Sequence, residues 1–390
     1  MLRREFLATS LAASVAFAAD PVAKRRVAVI GHTGRGDYGH GMDVVWLKLP
    51  DTEIVSVADA DAKGLAAAKA KLNVEAGYAD YKTMLAAVKP EIVAVCPRYI
   101  DEHHDMILAA VDAGAKAIYV EKAFCRTPAE ADAIVTATTK RNVKLAVAHR
   151  NRWHPVLPVI AKLIQDDTIG RVLELRGRGK EDQRGGSLDL WVLGGHIINL
   201  AICFAGSPQT CSATVKLGGK SITKADIADG AEGVGPLAGD EVHARFDMKN
   251  GLPFFFDSMK GAGVAAAGFG LQIIGTKGII DFRIDKEPLV HILPGSPFQP
   301  LKEAKAWTPI STTGVGQAEP IADIGKNLMD HVLGTRDLIS TIGTDKAPLC
   351  DARDAALTVE MVAAVFESHR LGGQQVTLPL TNREHPLTRL

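Results

Sequence analysis

The sequence predicts an α/β fold in two parts: an N-terminal doubly wound parallel sheet with crossover helices, then an α+β region built on a large, mostly antiparallel open sheet. Three observations predict it. From Lys24 to about Arg150, short β-branched apolar runs alternate with alanine-rich helical stretches, the pattern of a parallel sheet with crossover helices. The first apolar run leads into a glycine-rich turn, Gly31 to Gly36, as in a Rossmann nucleotide-binding fold. Beyond Pro155 the strand-like runs lengthen and the alternation stops.

In chain order, Arg3-Arg4 with Phe6-Leu7, an apolar stretch from Leu7 to Phe17 and the small-residue site Ala16-Phe17-Ala18 predict a twin-arginine signal over residues 1–20. Such a signal implies a periplasmic or otherwise exported bacterial protein. An ordinary secretory leader or an amphipathic N-terminal helix are the alternatives. Residues 24–150 form the predicted nucleotide-binding domain, with strands at Val27–Ile30, Ile54–Ala58, Ile92–Val95, Ala117–Val120 and Lys144–Ala148. Its helices are expected at Tyr38–Leu49, Ala62–Leu72, Tyr81–Val88, Glu102–Ala113 and Pro128–Lys140. A second domain, 151–320, begins with an amphipathic helix at Val156–Gln165 and continues with strands near Arg171–Arg178, Glu241–Asp247, Pro253–Ser258 and Leu271–Ile274. Ser221 to Gly239 and Gly261 to Gly270 read as loops. Residues 321–390 complete the fold with helices at Ile321–Leu333 and Ala352–His369 and a strand at Val376–Leu380.

Composition narrows the function. The 45 basic and 45 acidic residues cancel, so the overall charge calls for neither nucleic acid nor an anionic membrane surface. No apolar run is read as reaching the roughly 18–20 residues of a membrane span. The 5 cysteines are odd in number and irregularly spaced, giving neither a disulfide framework nor a metal pair, and no metal site is expected.

Ligands of a doubly wound sheet bind at the carboxyl ends of its strands, so the residues after each strand carry the functional signal. Gly31, Thr33, Gly34, Arg35 and Gly36 form the first turn, with Thr33 where the GxGxxG pattern has its middle glycine. Backbone amides of this turn and the N-terminus of a following helix would face the phosphates. Asp59, ending the second strand, is placed to accept both ribose hydroxyls of an adenosine. Asp61 adds negative charge that would repel a 2′-phosphate, which favours NAD over NADP, although Lys63 could partly offset this. The fourth internal strand ends in Glu121-Lys122, and an amine there can hold a substrate hydroxyl and take its proton if its pKa is lowered.

With these residues in hand, the chain resembles the glucose–fructose oxidoreductase, inositol dehydrogenase and MocA family from about Val27 to Leu380. The matching features are the Gly31–Gly36 turn, Val57-Ala-Asp59, Val95-Cys96-Pro97, His103, Glu121-Lys122 (similar to that family's EKP, with Ala123 for proline), Arg152-Trp153-His-Pro155, Ile273 to Gly278 and Leu378-Pro-Leu380. The resemblance implies a nicotinamide cofactor held by the turn, Asp59, Cys96, Pro97, His103, Glu121 and Lys122. It also implies sugar or cyclitol substrates and oligomer contacts through the open sheet. Catalysis would fall to Lys122 and to a downstream Asp/His pair. Where the family has DxGxH, this chain has Val192 and Gly194 before His196, and its nearest acid is Asp189, roughly two helical turns earlier. Asp189 and His196 could share a face if the segment is helical throughout. Arg150, Arg152, Trp153, Arg184 and Asn199 are expected to line the substrate cleft, with Trp153 alternatively a packing residue between domains.

The expected activity is therefore NAD(P)-dependent oxidation or reduction of a sugar, sugar derivative or cyclitol with a tightly held cofactor. Two other readings remain open: a redox-neutral enzyme that cleaves glycosides by transient oxidation, elimination, water addition and re-reduction, and a nucleotide- or sugar-binding protein without catalysis.

Overall fold

The computed structural model describes residues 23–263, 269–299 and 303–390. The predicted signal segment, 1–20, lies outside them. The first sheet has six parallel strands, β1 (Arg25–Ile30), β2 (Thr52–Ala58), β3 (Gly77–Tyr78), β4 (Ile92–Val95), β5 (Ala117–Val120) and β6 (Lys144–Val147), in the order β3-β2-β1-β4-β5-β6. The order reverses between β1 and β4, which opens a crevice at their carboxyl ends. β4 and β5 are buried along their whole length, as strands covered on both faces must be, and their apolar runs made them easy to find in the sequence.

Helix starts are set by polar caps. Asp61 accepts from the Gly64 amide at 2.6 Å to begin Ala62–Leu72, and Asp80 accepts from the Thr83 amide to begin Tyr81–Val88. Thr127, followed by proline, caps Pro128–Arg141. The helix expected at Tyr38–Leu49 does not form. Only Val45–Lys48 makes a short 3-10 turn, because Gly39 and Gly41 take positive φ and Gly39 is pressed against its surroundings. A Cβ on Gly39 would lie 2.6 Å from the Cys96 carbonyl oxygen and 2.7 Å from the Glu121 carboxylate.

The second sheet has eleven strands and is antiparallel except where Val172–Arg178 pairs in parallel with Pro253–Met259. Its strands alternate buried and half-buried residues, as in Gly278–Ile284, so one face makes core and the other is open. Ion pairs between residues two apart on one strand, such as Arg283 with Asp281 and Arg176 with Glu174, occupy the open face. Two helices cover the buried face. Ala352–Arg370 is capped by Asp351 and tied to the sheet where Ser368 Oγ accepts from the Ala213 amide at 2.8 Å. Ser187–Ala205 is long and apolar enough to be a membrane span by composition alone, yet 83% of it is buried inside the protein, which makes it a core helix.

Three smaller expectations are corrected. Ile321–Leu333 is two helices, Ile324–Met329 and Val332–Thr341, broken at His331, which adopts a left-handed φ of 61°. The last strand is only Val376–Thr377. The loop from Ser221 to Gly239 contains a hairpin, Ala228–Gly230 paired with Gly235–Leu237.

Gly177 lets Ser187–Ala205 lie close to the sheet, since a Cβ there would come 2.5 Å from Ile197 Cγ2 and 3.1 Å from the Phe254 ring. Gly177→Val is expected to overpack this contact by about 1–3 kcal/mol, measured as a lowered denaturation midpoint.

Candidate active site

The turn after β1 is closed by paired backbone bonds between His32 and Asp37, and Gly34 at its tip has φ 83° with open space where a side chain would project. Gly36 packs directly on the backbone of Arg98, the residue following Pro97 after β4. The turn thus sits in the crevice between β1 and β4. No helix N-terminus follows it, so only the turn's backbone amides and nearby cations remain for phosphates. Arg35 is itself engaged, bound to Asp101, 3.6 Å from Glu102, and stacked over the Tyr99 ring.

Asp59 is buried and already carries a full set of bonds. Thr33 donates to it through its amide and, at 2.7 Å, its hydroxyl; the Tyr38 hydroxyl donates at 2.8 Å and the Asp61 amide at 3.0 Å. Burial alone would raise its pKa, but these donors together hold it below the ordinary carboxylate range. The same contact and its own burial push the Tyr38 hydroxyl far above its usual value. Nearby, both ring nitrogens of buried His103 face backbone carbonyls, Nε2 that of Pro97 at 2.7 Å and Nδ1 those of Ala123 and Phe124. His103 therefore braces the loops that follow β4 and β5 against each other. Cys96 is fully buried beside this crevice, and burial raises its thiol pKa.

At the end of β5, Glu121 and Lys122 are both buried. Burial would raise the Glu121 pKa; a hydrogen bond with His40, whose Nδ1 lies 3.0 Å from Oε2, and the charge of Lys122 overcome it and hold the carboxylate well below its ordinary range. Lys122 shows the opposite balance. Burial lowers its pKa, with Glu121 and Glu232 only partly compensating, and its Nζ donates to the Val192 carbonyl at 3.1 Å. His196 is buried too, its Nδ1 3.4 Å from that of His149 with the rings edge to face. Burial lowers both, with Lys122 and each other's surroundings adding to it, to about 3 for His149 and well below the ordinary value for His196, so both imidazoles are neutral.

Lys122 and His196 open onto one cavity of about 600 Å³ at the carboxyl ends of the first sheet, with Arg150 and Arg184 in its wall together with His40, Arg98, Lys180 and Glu232. Arg150 reaches it while 3.8 Å from Asp285, and Arg184 while held in a fork by Asp182. A larger depression of about 720 Å³ lies on the open face of the second sheet, around Arg176, Asp281, Arg283 and Trp307, but none of the nucleotide-turn or Lys122 groups borders it.

Four expected site residues lie elsewhere. Asp189 is buried beneath the cavity, accepting from Ser258 Oγ at 2.6 Å and from the Glu181 amide at 3.0 Å. Ser187–Ala205 is helical throughout, but Leu190–Gly194 forms a π turn. One extra residue in the turn offsets everything upstream by about 100°, and Asp189 rotates away from the face that carries His196. Arg152 is spent on Asn199, the Leu349 carbonyl and Asp354. Asn199 is fully buried against it, and Trp153 donates to Asp337 while packing on Tyr119, the packing alternative read from the sequence. Lys180 belongs to the charged run Arg176 to Arg184, whose sequence suits sugar hydroxyls or a carboxylate as well as a solvated loop, whereas His40, Arg98 and Glu232 carried no such expectation. His40 and Arg98 stood next to recognised signals, the glycine turn and Cys96-Pro97, whereas Glu232 lies in a stretch without periodicity and gave none.

Residues 25–149, about a third of the chain, match the model of the oxidoreductase family with an NAD-binding Rossmann fold (GFO_IDH_MocA), which supports the resemblance read from the sequence. A D-apiose dehydrogenase of Paraburkholderia graminis is 32% identical over 125 residues, covering 32% of this chain and 33% of that protein. A levoglucosan dehydrogenase of Pseudarthrobacter phenanthrenivorans is 23% identical over 261 residues, 60% of this chain and 66% of that one. The chain thus spans a third to two thirds of these relatives' length. The fold is that of a solved levoglucosan dehydrogenase in complex with NADH and levoglucosan, with TM-score 0.70 at 19% identity over 91% of this chain and 100% of that one.

Two predictions follow from the site's burial. Asp189→Ala removes an acceptor from two buried donors and should lower stability by about 1–3 kcal/mol, with the loss read in chemical denaturation rather than in the Michaelis constant of any substrate. His149 and His196 have folded pKa values below their unfolded ones, so the unfolded chain takes up protons first as pH falls. Stability is therefore complete above the ordinary histidine value of about 6.5 and declines toward acid by roughly 1.4 kcal/mol per pH unit for each histidine, for His149 until about pH 3. Urea midpoints at pH 7 and pH 5 should differ less in His149→Gln than in the wild type; equal differences would refute the assignment.

Proposed function

We propose that the protein is an NAD(P)-dependent oxidoreductase that oxidises or reduces a ring carbon of a sugar, sugar derivative or cyclitol. The observation that carries this reading is the convergence of Lys122 and His196, both biased toward their neutral forms, in one cavity at the carboxyl ends of a Rossmann sheet. The named activities of the apiose and levoglucosan dehydrogenases support the substrate class.

The residues present fit a dinucleotide. The open tip at Gly34, the turn's backbone amides and Arg98 beside Gly36 would hold its phosphates. Asp59 would share its carboxylate between the ribose and its present donors, with Tyr38 the one whose hydroxyl can yield. NAD is favoured because the negative charges of Asp59 and Asp61, with no adjacent arginine, would repel a 2′-phosphate there. The nicotinamide supplies hydride acceptance or donation when bound. Lys122, whose charged form burial disfavours, takes the proton of the reacting hydroxyl, or returns it in the reverse direction, while the neutral imidazole of His196 hydrogen-bonds the same oxygen. Arg150 and Arg184 orient the remaining hydroxyls. The Arg3-Arg4 leader supports export, and an exported enzyme of this kind works best when it leaves the cytoplasm with its cofactor already bound.

The test has two stages. Protein isolated from the exported fraction and denatured should release stoichiometric NAD or NADH, identified by mass spectrometry. D-apiose, levoglucosan and myo-inositol are then assayed by absorbance of the reduced nicotinamide. Lys122→Met should lower kcat/KM about 10²–10⁴-fold while the released nucleotide stays stoichiometric. A nucleotide-free protein that also fails to bind added NAD would refute the reading.

A further inference from the structure

The cavity wall contains three carboxylates, and two of them are already neutralised. Asp285 lies 3.8 Å from Arg150 and 3.5 Å from Lys180, and Asp330 is bound by Lys48 at 2.6 Å. Glu232 has no ion-pair partner among the described residues, and its charge acts on Lys122 and Arg184 across the cavity. It is therefore the acid in the wall whose charge no cation pairs with among the described residues.

Its position is built rather than incidental. Glu232 occupies the turn Ala231–Gly233 between the paired strands Ala228–Gly230 and Gly235–Leu237, with a left-handed φ of 58° that a side chain seldom adopts without a constraint. That constraint is visible next door. Gly233 is packed so tightly on Asp101 that a Cβ would overlap the carboxylate, and Asp101 is bound to Arg35 of the nucleotide turn. The hairpin, a two-stranded sheet of its own, is packed through Gly233 on Asp101 of the first domain, and Glu232 lines the same cavity as Lys122.

We propose that Glu232 is the substrate-anchoring carboxylate of this site, accepting hydrogen bonds from two adjacent hydroxyls of a neutral polyol ring, one of them the hydroxyl that Lys122 deprotonates. This rests on the oxidoreductase reading above. A carboxylate can accept from a vicinal pair through its two oxygens, and charge-assisted bonds of this kind are short and selective. Glu232 thereby supplies from the hairpin the acid that Asp189, turned into the core, does not supply from the helix. It also disfavours a substrate with a carboxylate or phosphate at that end of the ring, because two anions would face each other in a partly dry cavity.

The experiment compares wild type, Glu232→Gln and Glu232→Asp with NAD bound, using D-apiose, levoglucosan and myo-inositol. Glu232→Gln keeps the size of the side chain but has only one acceptor oxygen. The expected result is a rise of at least tenfold in KM for the polyol that the wild type turns over, with a smaller change in kcat, an intermediate value for Glu232→Asp, and an unchanged calorimetric dissociation constant for NAD. A KM within twofold of wild type in Glu232→Gln would overturn the inference while leaving the oxidoreductase reading intact. So would a loss of NAD binding in both variants, which would make Glu232 a support for the nucleotide turn. If NAD-loaded wild type neither binds nor oxidises any of the three polyols, the underlying reading fails and the inference falls with it.

Discussion

Burying Glu121 and Lys122 side by side at the end of β5 obliges the surrounding chain to satisfy both. An uncompensated buried charge costs about 3–5 kcal/mol, so each must find partners that cannot be given up. Glu121 takes them from the nucleotide turn, through His40, and from the amide of Lys122. Lys122 takes its partner from the other side, the Val192 carbonyl of the core helix. One pair of neighbours thus joins the glycine turn to the helix that carries His196. The tight seat of Gly39 against Glu121 and Cys96 belongs to the same arrangement: the turn must come this close for His40 to reach the carboxylate, and a helix in its place would stand off.

The same burial sets the chemistry. A lysine in water is protonated at neutral pH and is a poor base; desolvation lowers its pKa toward the range where it can exchange a proton with a hydroxyl. Glu121 alone would undo this by stabilising the ammonium. Its negative charge is diverted toward His40, and the cations Arg150 and Arg184 push in the same direction as desolvation. The paired imidazoles of His149 and His196 stay uncharged chiefly because burial penalises their charged forms, with the neighbouring Lys122 adding to it.

Much of this was legible in the sequence, and the parts that were not share a cause. β1, β2, β4, β5 and β6 were readable because strands buried on both faces leave unbroken β-branched runs; Lys122 and Arg150 followed from their places after those strands, while His196 and Arg184 came from the resemblance to the oxidoreductase family. Tyr38–Leu49 has a helical apolar pattern, but the decision was made by contacts of Gly39 with residues over fifty positions away. Arg152, Trp153 and Asn199 carry groups suited to a substrate cleft, and only their partners Asp354, Asp337 and Leu349, far along the chain, show that they hold the helices to the first sheet instead. Glu232 sits in a hairpin too short to leave any periodicity.

The π turn at Leu190–Gly194 decides which acid can serve the site. In a regular helix Asp189 and His196 would stand on one face, nearly two turns apart, and both could reach a ligand. The wider turn inserts one residue between them, so the two side chains diverge, and π turns tend to occur at functional positions because they redirect side chains in this way. Asp189 then meets Ser258 and the Glu181 amide, where its carboxylate closes the loop after Val172–Arg178, and Gly179 leaves the space it needs. His196 and the Val192 carbonyl remain on the cavity side. A helix that keeps its histidine but turns its acid inward leaves the position opposite Lys122 without an acceptor, and the hairpin carrying Glu232 is the element that reaches it.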